Sequence, residues 1–240
     1  KALAKKIAQS VLDQSYDGIT TGQVYKLVLA ALAAETGNPA LKHRYRLKES
    51  LMLMGPAGFA FESYVGQVLE RYGYTVESVR SAVKGRCVEH EIDLAAVKSG
   101  ERIMVECKYH NLPGTHTGIK ESMYTHARFL DVQDSFDKEM LVTNTKVSSE
   151  VLQYASCVGQ QVLSWRYPHG RGLEKMIEEK GLYPVTMLQL SKGELAAFSQ
   201  ASMMMAANLL GADLHQLSMQ TGISTPRLVR LQEQVKQILR

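Results

Sequence analysis

The feature that most constrains the fold is a pair of β-rich runs, residues 90–98 and 102–109, separated by Ser99-Gly100. Two short apolar runs joined by a Ser-Gly dipeptide are typical of a tight β-hairpin. The length of the loop fixes the register of such a hairpin, because each added residue shifts every pair. With two residues in the loop, Lys98 pairs with Glu101.

This register places three charged side chains on one face of the hairpin. Asp93 and Glu106 are equally far from the first pair on their respective strands, so they are expected to lie opposite one another. Lys108 follows Glu106 by two residues and therefore shares its face. The neighbouring residues are mostly apolar, which indicates buried strands in which two facing carboxylates repel strongly. A divalent cation between them would remove the repulsion, and oxygen ligands favour Mg²⁺ or Mn²⁺.

Two carboxylates, a metal and a lysine are the groups that phosphodiester hydrolysis requires. The metal activates a water molecule and neutralises charge on the phosphoryl oxygens. Lys108 supplies a fixed positive charge, or accepts a proton if its pKa is depressed. A different interpretation stays open on the hairpin alone: the three residues are salt-bridged polar positions of a half-exposed strand.

The order of motifs resembles the PD-(D/E)xK restriction-endonuclease-like superfamily, and its Mrr-like branch in particular. Over about 110 residues the chain carries the branch's helix motif, its strand containing the aspartate, the (D/E)xK tripeptide and a later VTN strand. The matching segments are Gly58 to Tyr74 with Phe61-Glu62 inside it, Ile92-Asp93-Leu94, Glu106-Cys107-Lys108 and Val142-Thr143-Asn144. The resemblance implies an α/β fold with a restriction-endonuclease-like core, a mixed central sheet flanked by helices.

The resemblance also implies the members of the site. Asp93, Glu106, Lys108 and Glu62 would be catalytic, and Asp93 and Glu106 would bind Mg²⁺ or Mn²⁺ together with the backbone carbonyl of Cys107. Helix geometry independently places Glu62 at the edge of an apolar arc, where a carboxylate needs a partner. The branch often has glutamine where this chain has Glu106, so the chain offers one more ligand than usual.

Three regions are expected along the chain: a helical part at residues 1–56, the nuclease-like domain at residues 57–168, and a helical part at residues 169–240. In the first, Thr20 and Gln23 fit a capping box, and Asn38-Pro39 marks the start of a third helix. The third region ends in residues 209–239, which resemble a helix-hairpin-helix, a DNA-backbone-binding element. Helical packing or dimerisation, with a homodimer as the product, is the alternative. The basic residues of its last helix are Arg227, Arg230, Lys236 and Arg240.

The N-terminal region resembles the helical part of an ATP-cone, a small nucleotide-binding regulatory domain. The matching segments are Tyr16-Asp17-Gly18-Ile19-Thr20-Thr21, Tyr25-Lys26-Leu27-Val28 and Arg44-Tyr45-Arg46-Leu47-Lys48. The V-x-K-x-x-G hairpin that helps such domains hold phosphates is missing from the sequence. The resemblance implies ATP or dATP as an effector if the cone is complete, and a plain helical bundle is the alternative.

Composition sets broad limits on partners and location. The formal net charge is +4, which is compatible with DNA as the partner. No apolar run approaches the ~18 residues of a membrane span. Three widely spaced cysteines argue against a disulfide framework and for a reducing cytoplasm.

Three smaller motifs remain ambiguous. Cys87-x-x-His90 and Cys107-x-x-His110 suggest zinc, but residues three apart on a strand point to opposite faces, which argues against it. Lys120, Tyr124 and Arg128 follow the lysine on a predicted helix and either contact phosphate or form a solvated helix face. The sequence therefore supports two alternative hypotheses. The chain is either a metal-dependent DNA endonuclease or an inactive, nucleotide-responsive DNA-binding regulator.

Overall fold

A computed structural model describes residues 2–36, 46–55 and 58–239 of the chain. Its centre is a five-stranded mixed sheet in the order β1-β2-β3-β5-β7. The first three strands are antiparallel, and β3, β5 and β7 run parallel. A separate parallel pair, β4 with β6, lies outside this sheet. The strands are β1 (Thr75–Lys84), β2 (Glu89–Lys98), β3 (Glu101–Lys108), β4 (His116–Thr117), β5 (Lys138–Thr143), β6 (Lys146–Val147) and β7 (Gln161–Leu163).

Helices cover the sheet, and the α/β fold class with a mixed central sheet is confirmed. Among the described residues these are α1 (Ala2–Asp13), α2 (Thr21–Thr36), α3 (Leu47–Met52), α4 (Phe59–Arg71), α5 (Ile119–Val132), α6 (Ser149–Val158), α7 (Leu173–Lys180), α8 (Lys192–Gln200), α9 (Leu214–Thr221) and α10 (Thr225–Leu239), with 3₁₀ turns at Val185–Met187 and Ala206–Gly211. None of the described helices is long and apolar enough to cross a membrane.

The hairpin between β2 and β3 has the predicted register. Lys98 pairs with Glu101, and the ladder continues to Leu94 opposite Val105. Ser99 and Gly100 have φ angles of 54° and 82°. Positive φ at both loop residues is the geometry that matches the right-handed twist of the flanking strands. The two-residue loop therefore fixes which residues of the hairpin share a face.

The main core lies between one face of the sheet and helix α4, and the C-terminal helices extend it. Tyr64 of α4 is fully buried, and its hydroxyl donates to the carbonyl of Leu182 at 2.7 Å. The opposite face of the sheet packs on α5 through a smaller cluster that includes Met104 and Phe136. The hairpin is thus enclosed between two layers of helices. The boundaries of the three regions expected from the sequence remain a prediction.

In the N-terminal region, the predicted capping box is confirmed. The backbone nitrogen of Thr20 donates to Gln23 Oε1 at 2.9 Å, and the nitrogen of Gln23 donates back to Thr20 Oγ1 at 3.3 Å. The expected helix start at Asn38-Pro39 and the Arg44-Tyr45 part of the ATP-cone match lie outside the described residues.

Gly172 lies in the connection between β7 and α7, where the backbone leaves no room for a side chain. A Cβ atom at this position would lie 2.6 Å from the carbonyl carbon of Arg166 and 2.7 Å from the nitrogen of Tyr167. We expect Gly172→Ala to lower the free energy of unfolding by about 2 kcal/mol, because the clash is with backbone that cannot rotate away.

Chemical denaturation of the natural protein and of Gly172→Ala measures this change. Gly193→Ala is the matched control, since a Cβ at Gly193 would meet nothing closer than Ser191 Oγ at 4.0 Å. Equal unfolding midpoints for the Gly172 and Gly193 variants would contradict the packing argument.

Candidate functional site

Asp93 stands where the hairpin ladder stops. The last pair of the ladder is Leu94 with Val105, and Asp93 and Glu106 occupy the next positions of the same register. Asp93 Oδ2 accepts a hydrogen bond from the backbone nitrogen of Cys107 at 2.7 Å. The carboxylate replaces a backbone acceptor, which anchors β2 to β3 just past the end of their ladder.

Glu106 lies beside Asp93 and is 3 % exposed. Lys108 Nζ is 2.7 Å from its Oε1, and the guanidinium of Arg128 contacts its Oε2. Cationic side chains, which the hairpin pattern did not include beyond Lys108, thus contribute to neutralising Glu106. Two cationic side chains already neutralise it, and one of them comes from α5, far away in sequence.

Glu62 reaches the same cluster from the first turn of α4. It is 8 % exposed, and its Oε2 is buried without a hydrogen-bond partner. The guanidinium of Arg80 lies nearby, with its Nε 3.7 Å from that oxygen. Burial, followed by the negative charge of Asp93, raises the pKa of Glu62 from 4.5 to about 7, even though Arg80 opposes the shift. The site is thus short of positive charge at this carboxylate.

Asp93 shows the same deficit of positive charge. Burial, followed by the charge of Glu106, raises the pKa of Asp93 from 3.8 to about 6. The hydrogen bond from Cys107 and the positive charges of Lys108 and Arg128 act in the opposite direction and do not cancel the effect. A carboxylate with a raised pKa is a good candidate for a functional group. A carboxylate with a purely structural role usually has a cationic or hydrogen-bonding partner that lowers its pKa.

Lys108 keeps its proton in this arrangement. Burial alone would lower its pKa, but the charge and the hydrogen bond of Glu106, with the charge of Asp93, raise it above the ordinary 10.5. Of the two roles considered for Lys108, this favours the fixed positive charge over the proton acceptor.

Cys107 can take part only through its backbone. Its side chain is 7 % exposed and belongs to the main core, and burial raises the pKa of the thiol well above its usual value. Downstream, Asn144 of the VTN segment holds the chain that follows Lys108. Its Nδ2 donates to the carbonyl of His110 at 2.7 Å, and its Oδ1 accepts from the His110 nitrogen at 2.9 Å.

Arg80 is a member of the cluster that the sequence did not reveal. It has a φ angle of 53° inside β1, a conformation that costs a non-glycine residue about 1 kcal/mol or more. Its guanidinium lies 3.8 Å from the ring centre of Phe59 and pairs with Glu91 at 3.0 Å as well as with Glu62. No local pattern marks this residue, because its importance comes from what α4 brings to it.

Arg128 and Tyr124 are not on a plain solvated helix face. The side chain of Arg128 is 12 % exposed, and its Nη2 donates to the hydroxyl of Tyr124 at 2.9 Å. Tyr124 itself is 55 % exposed, and Lys108 Nζ lies 5.8 Å from its ring centre. Lys120 is exposed at the start of the same helix. The helix thus inserts one arginine into the cluster and leaves a tyrosine at its rim.

The other sequence candidates lie elsewhere. Within the described ranges, no three histidine, cysteine, aspartate or glutamate side chains converge closely enough to hold a metal by themselves. His90 of the first proposed zinc pair instead bonds Asp131 at 2.8 Å. In the C-terminal helices, Arg227 is bound to Glu194 and Lys236 to Glu233, both at 2.6 Å, so these two cations are already paired.

Comparison with known proteins places this cluster in a family. Residues 55–165 match the model of the Mrr catalytic domain family, described as restriction endonuclease. An uncharacterized protein from Archaeoglobus fulgidus is 39% identical over 176 residues, which are 73% of this chain and 99% of that protein. The chain belongs to the same family as this Archaeoglobus protein, and its residues 55–165 form a restriction-endonuclease-like domain. Its matched region contains Glu62, Asp93, Glu106 and Lys108.

A solved structure shares the fold of this chain. The crystal structure of AF1548, a protein of unknown function, has a TM-score of 0.70 and 38% identity, covering 75% of this chain and 97% of that one. The structure of Can2 from Sulfobacillus thermosulfidooxidans in complex with cyclic tetra-adenylate has a TM-score of 0.36 and 13% identity, covering 74% and 50%.

Proposed function

We propose that the chain is a metal-dependent endonuclease that hydrolyses phosphodiester bonds in DNA. The observation that carries this proposal is that Asp93 lies near the ion pair of Glu106 with Lys108, while Glu62 and Asp93 lie near enough for their negative charges to interact and have raised pKa values. Buried carboxylates with raised pKa values destabilise the folded protein when they are ionised. Such residues are found mainly where a ligand or a reaction uses them. The Mrr-type family makes nuclease chemistry the natural use.

The donor set fits Mg²⁺ or Mn²⁺. Mg²⁺ keeps several of its waters and takes one or two carboxylates from a protein rather than a full cage of side chains. Asp93 and Glu106, with the backbone carbonyl of Cys107, would supply that set, and the unpartnered oxygen of Glu62 would complete the acidic environment. When bound, the cation activates water and neutralises charge on the phosphoryl oxygens.

The protein's own groups have separate tasks in this proposal. Lys108, protonated beside Glu106, places a positive charge next to the reacting phosphate and orients the attacking water. Asp93 keeps β2 joined to β3 through Cys107, so the two acidic residues hold a constant spacing. The exposed ring of Tyr124 marks the side from which DNA approaches.

A cleavage assay tests the proposal directly. Plasmid, methylated, single-stranded and branched DNA are each incubated with the protein in Mn²⁺ or Mg²⁺, with and without ATP, and with EDTA as the matched control. We expect strand breaks that EDTA abolishes. The absence of breaks on every substrate under all metal conditions would refute the proposal.

The second candidate is a metal-free DNA-binding regulator with the nuclease fold. One observation favours it: both oxygens of Glu106 are already engaged by Lys108 and Arg128. A Mn²⁺ titration separates the two candidates, because binding that Asp93→Ala abolishes supports the enzyme, whereas no binding supports the regulator.

Nucleotide control is the finer part of the proposal and rests on the ATP-cone resemblance of residues 1–56. The ATP arm of the cleavage assay tests it, together with a direct ATP-binding measurement. If ATP neither binds nor changes the cleavage rate, this region acts as a helical bundle only.

A further inference from the structure

The ion pair between Arg128 and Glu106 is nearly buried, with the two side chains 12% and 4% exposed. Such a pair compensates for the loss of hydration only when its geometry is good and its other donors are also bonded. Here Nε of Arg128 is buried without a hydrogen-bond partner. The pair therefore satisfies the charge of Arg128 but leaves part of its hydrogen-bonding capacity unused.

The remaining contacts of Arg128 lead towards the surface. Its Nη1 also donates to the carbonyl of Glu91 at 3.1 Å, and its Nη2 donates to the hydroxyl of Tyr124. The centre of the guanidinium lies 4.8 Å from the ring centre of Tyr124, which is half exposed and one helical turn away. A small rotation of the arginine side chain would keep it against this ring while moving its charge away from Glu106.

The cluster already holds cationic side chains close to two of its carboxylates. Arg80 lies beside Glu62, and Lys108 and Arg128 both bind Glu106, whereas Asp93 accepts a hydrogen bond from a backbone nitrogen. A divalent cation at Glu106 would stand next to the guanidinium, and like charges at such a distance repel. A phosphate group, in contrast, is a preferred partner of a guanidinium because it accepts two parallel hydrogen bonds.

We propose that Arg128 is a built-in counter-ion that a divalent cation displaces from Glu106, and that the released guanidinium then binds the phosphate group being cleaved. This inference rests on the proposed function and deepens it. Without metal, Arg128 is a positioning residue for Glu106; with metal and DNA, it contacts the substrate. Metal and DNA would then bind cooperatively. The metal frees the guanidinium of Arg128 for the phosphate, and the bound phosphate keeps that guanidinium away from the metal ligand Glu106.

Metal binding measured by calorimetry with Mn²⁺ and no DNA tests the first half. Removing the competing cation should strengthen binding, so we expect Arg128→Gln to bind Mn²⁺ at least about tenfold more tightly than the natural protein. Arg128→Lys keeps the charge and should bind Mn²⁺ close to the natural affinity. Arg102→Gln is the matched control, since Arg102 pairs with Glu77 elsewhere on the sheet and should leave the affinity unchanged.

Cleavage at saturating Mn²⁺ tests the second half. We expect Arg128→Gln to cut at least about a hundredfold more slowly, as when one charged donor is removed from a reacting oxyanion. Thermal melting of each variant shows whether it is folded.

The outcomes separate the two proposals. If the natural protein binds Mn²⁺ and cuts DNA but folded Arg128→Gln binds Mn²⁺ no more tightly, the counter-ion role is refuted and the nuclease proposal stands. If Arg128→Gln binds tightly and also cuts at the natural rate, the phosphate role is refuted. If the natural protein neither binds Mn²⁺ nor cuts, both proposals fail together.

Discussion

Replacing Lys108 with alanine is expected to reduce DNA cleavage at least about a thousandfold while leaving the protein folded. Lys108 is about one-third exposed, and its ammonium lies 2.7 Å from Glu106, so the variant loses a positive charge beside the buried carboxylate of the site. Single-turnover cleavage of plasmid DNA at saturating Mg²⁺ measures the loss, and circular dichroism with a thermal melt verifies the fold.

Two further variants sharpen this experiment. Lys84→Ala removes an exposed lysine of the neighbouring β1 and should cut at the natural rate. Lys108→Arg keeps the positive charge and should retain part of the activity, because the raised pKa of Lys108 indicates a charge-stabilising role. Cleavage by Lys108→Ala at the rate of the Lys84 control would sink the assignment of Lys108. Equal inactivity of the arginine and alanine variants would instead favour proton transfer by Lys108.

The second large effect is expected for Glu62→Gln, which should make the protein more stable but less active in DNA cleavage. Neutralising Glu62 with Glu62→Gln should raise the melting temperature of the metal-free protein at pH 8, by roughly 5 °C. The carboxylate is buried with an unpartnered oxygen, and its charge is opposed by that of Asp93. The same variant should cleave DNA at least about tenfold more slowly, since residues that support a metal site commonly contribute that much.

The pH dependence of this gain follows from the direction of the pKa shift. In the unfolded chain Glu62 loses its proton near pH 4.5, whereas in the folded protein it holds the proton to about pH 7. The folded state therefore binds more protons between these values, and its stability falls as the pH rises through this window. The glutamine variant cannot ionise, so its advantage should be small at pH 4 and full at pH 8.

Melting curves across this pH range, without metal, provide the measurement. Glu89→Gln is the matched control, because Glu89 is an exposed carboxylate at the start of β2 and should show neither the stability gain nor the activity loss. A lower melting temperature for Glu62→Gln at pH 8 would mean that its contact with Arg80 outweighs burial and repulsion, and the functional reading of Glu62 would fail.

The two functional candidates differ in how they explain Glu106. In the nuclease, its contact with Arg128 is a resting arrangement that metal and substrate replace, while Lys108 stays beside it. In the regulator, the same contacts are permanent and the site is a closed salt-bridge cluster. The raised pKa values of Glu62 and Asp93 favour the first, because a permanent cluster would be expected to pair these carboxylates as completely as Glu106.

The sequence by itself determined the local geometry of the site. The two-residue loop at Ser99-Gly100 fixed the hairpin register, and the period of two along β3 placed Glu106 and Lys108 on one face. The capping box at Thr20 likewise followed from neighbouring residues. These features depend on backbone geometry and on partners only a few positions away, which is why a pattern predicts them.

Only the tertiary structure decided which groups complete the cluster. Asp93 accepts a hydrogen bond from the Cys107 nitrogen just past the last pair of the hairpin ladder. Arg128 reaches Glu106 from another layer, and Arg80 meets Glu62 through an unusual backbone angle. Contacts of this kind depend on how helices seat against the sheet, and that seating is set by the packing of the whole core rather than by any local run of residues.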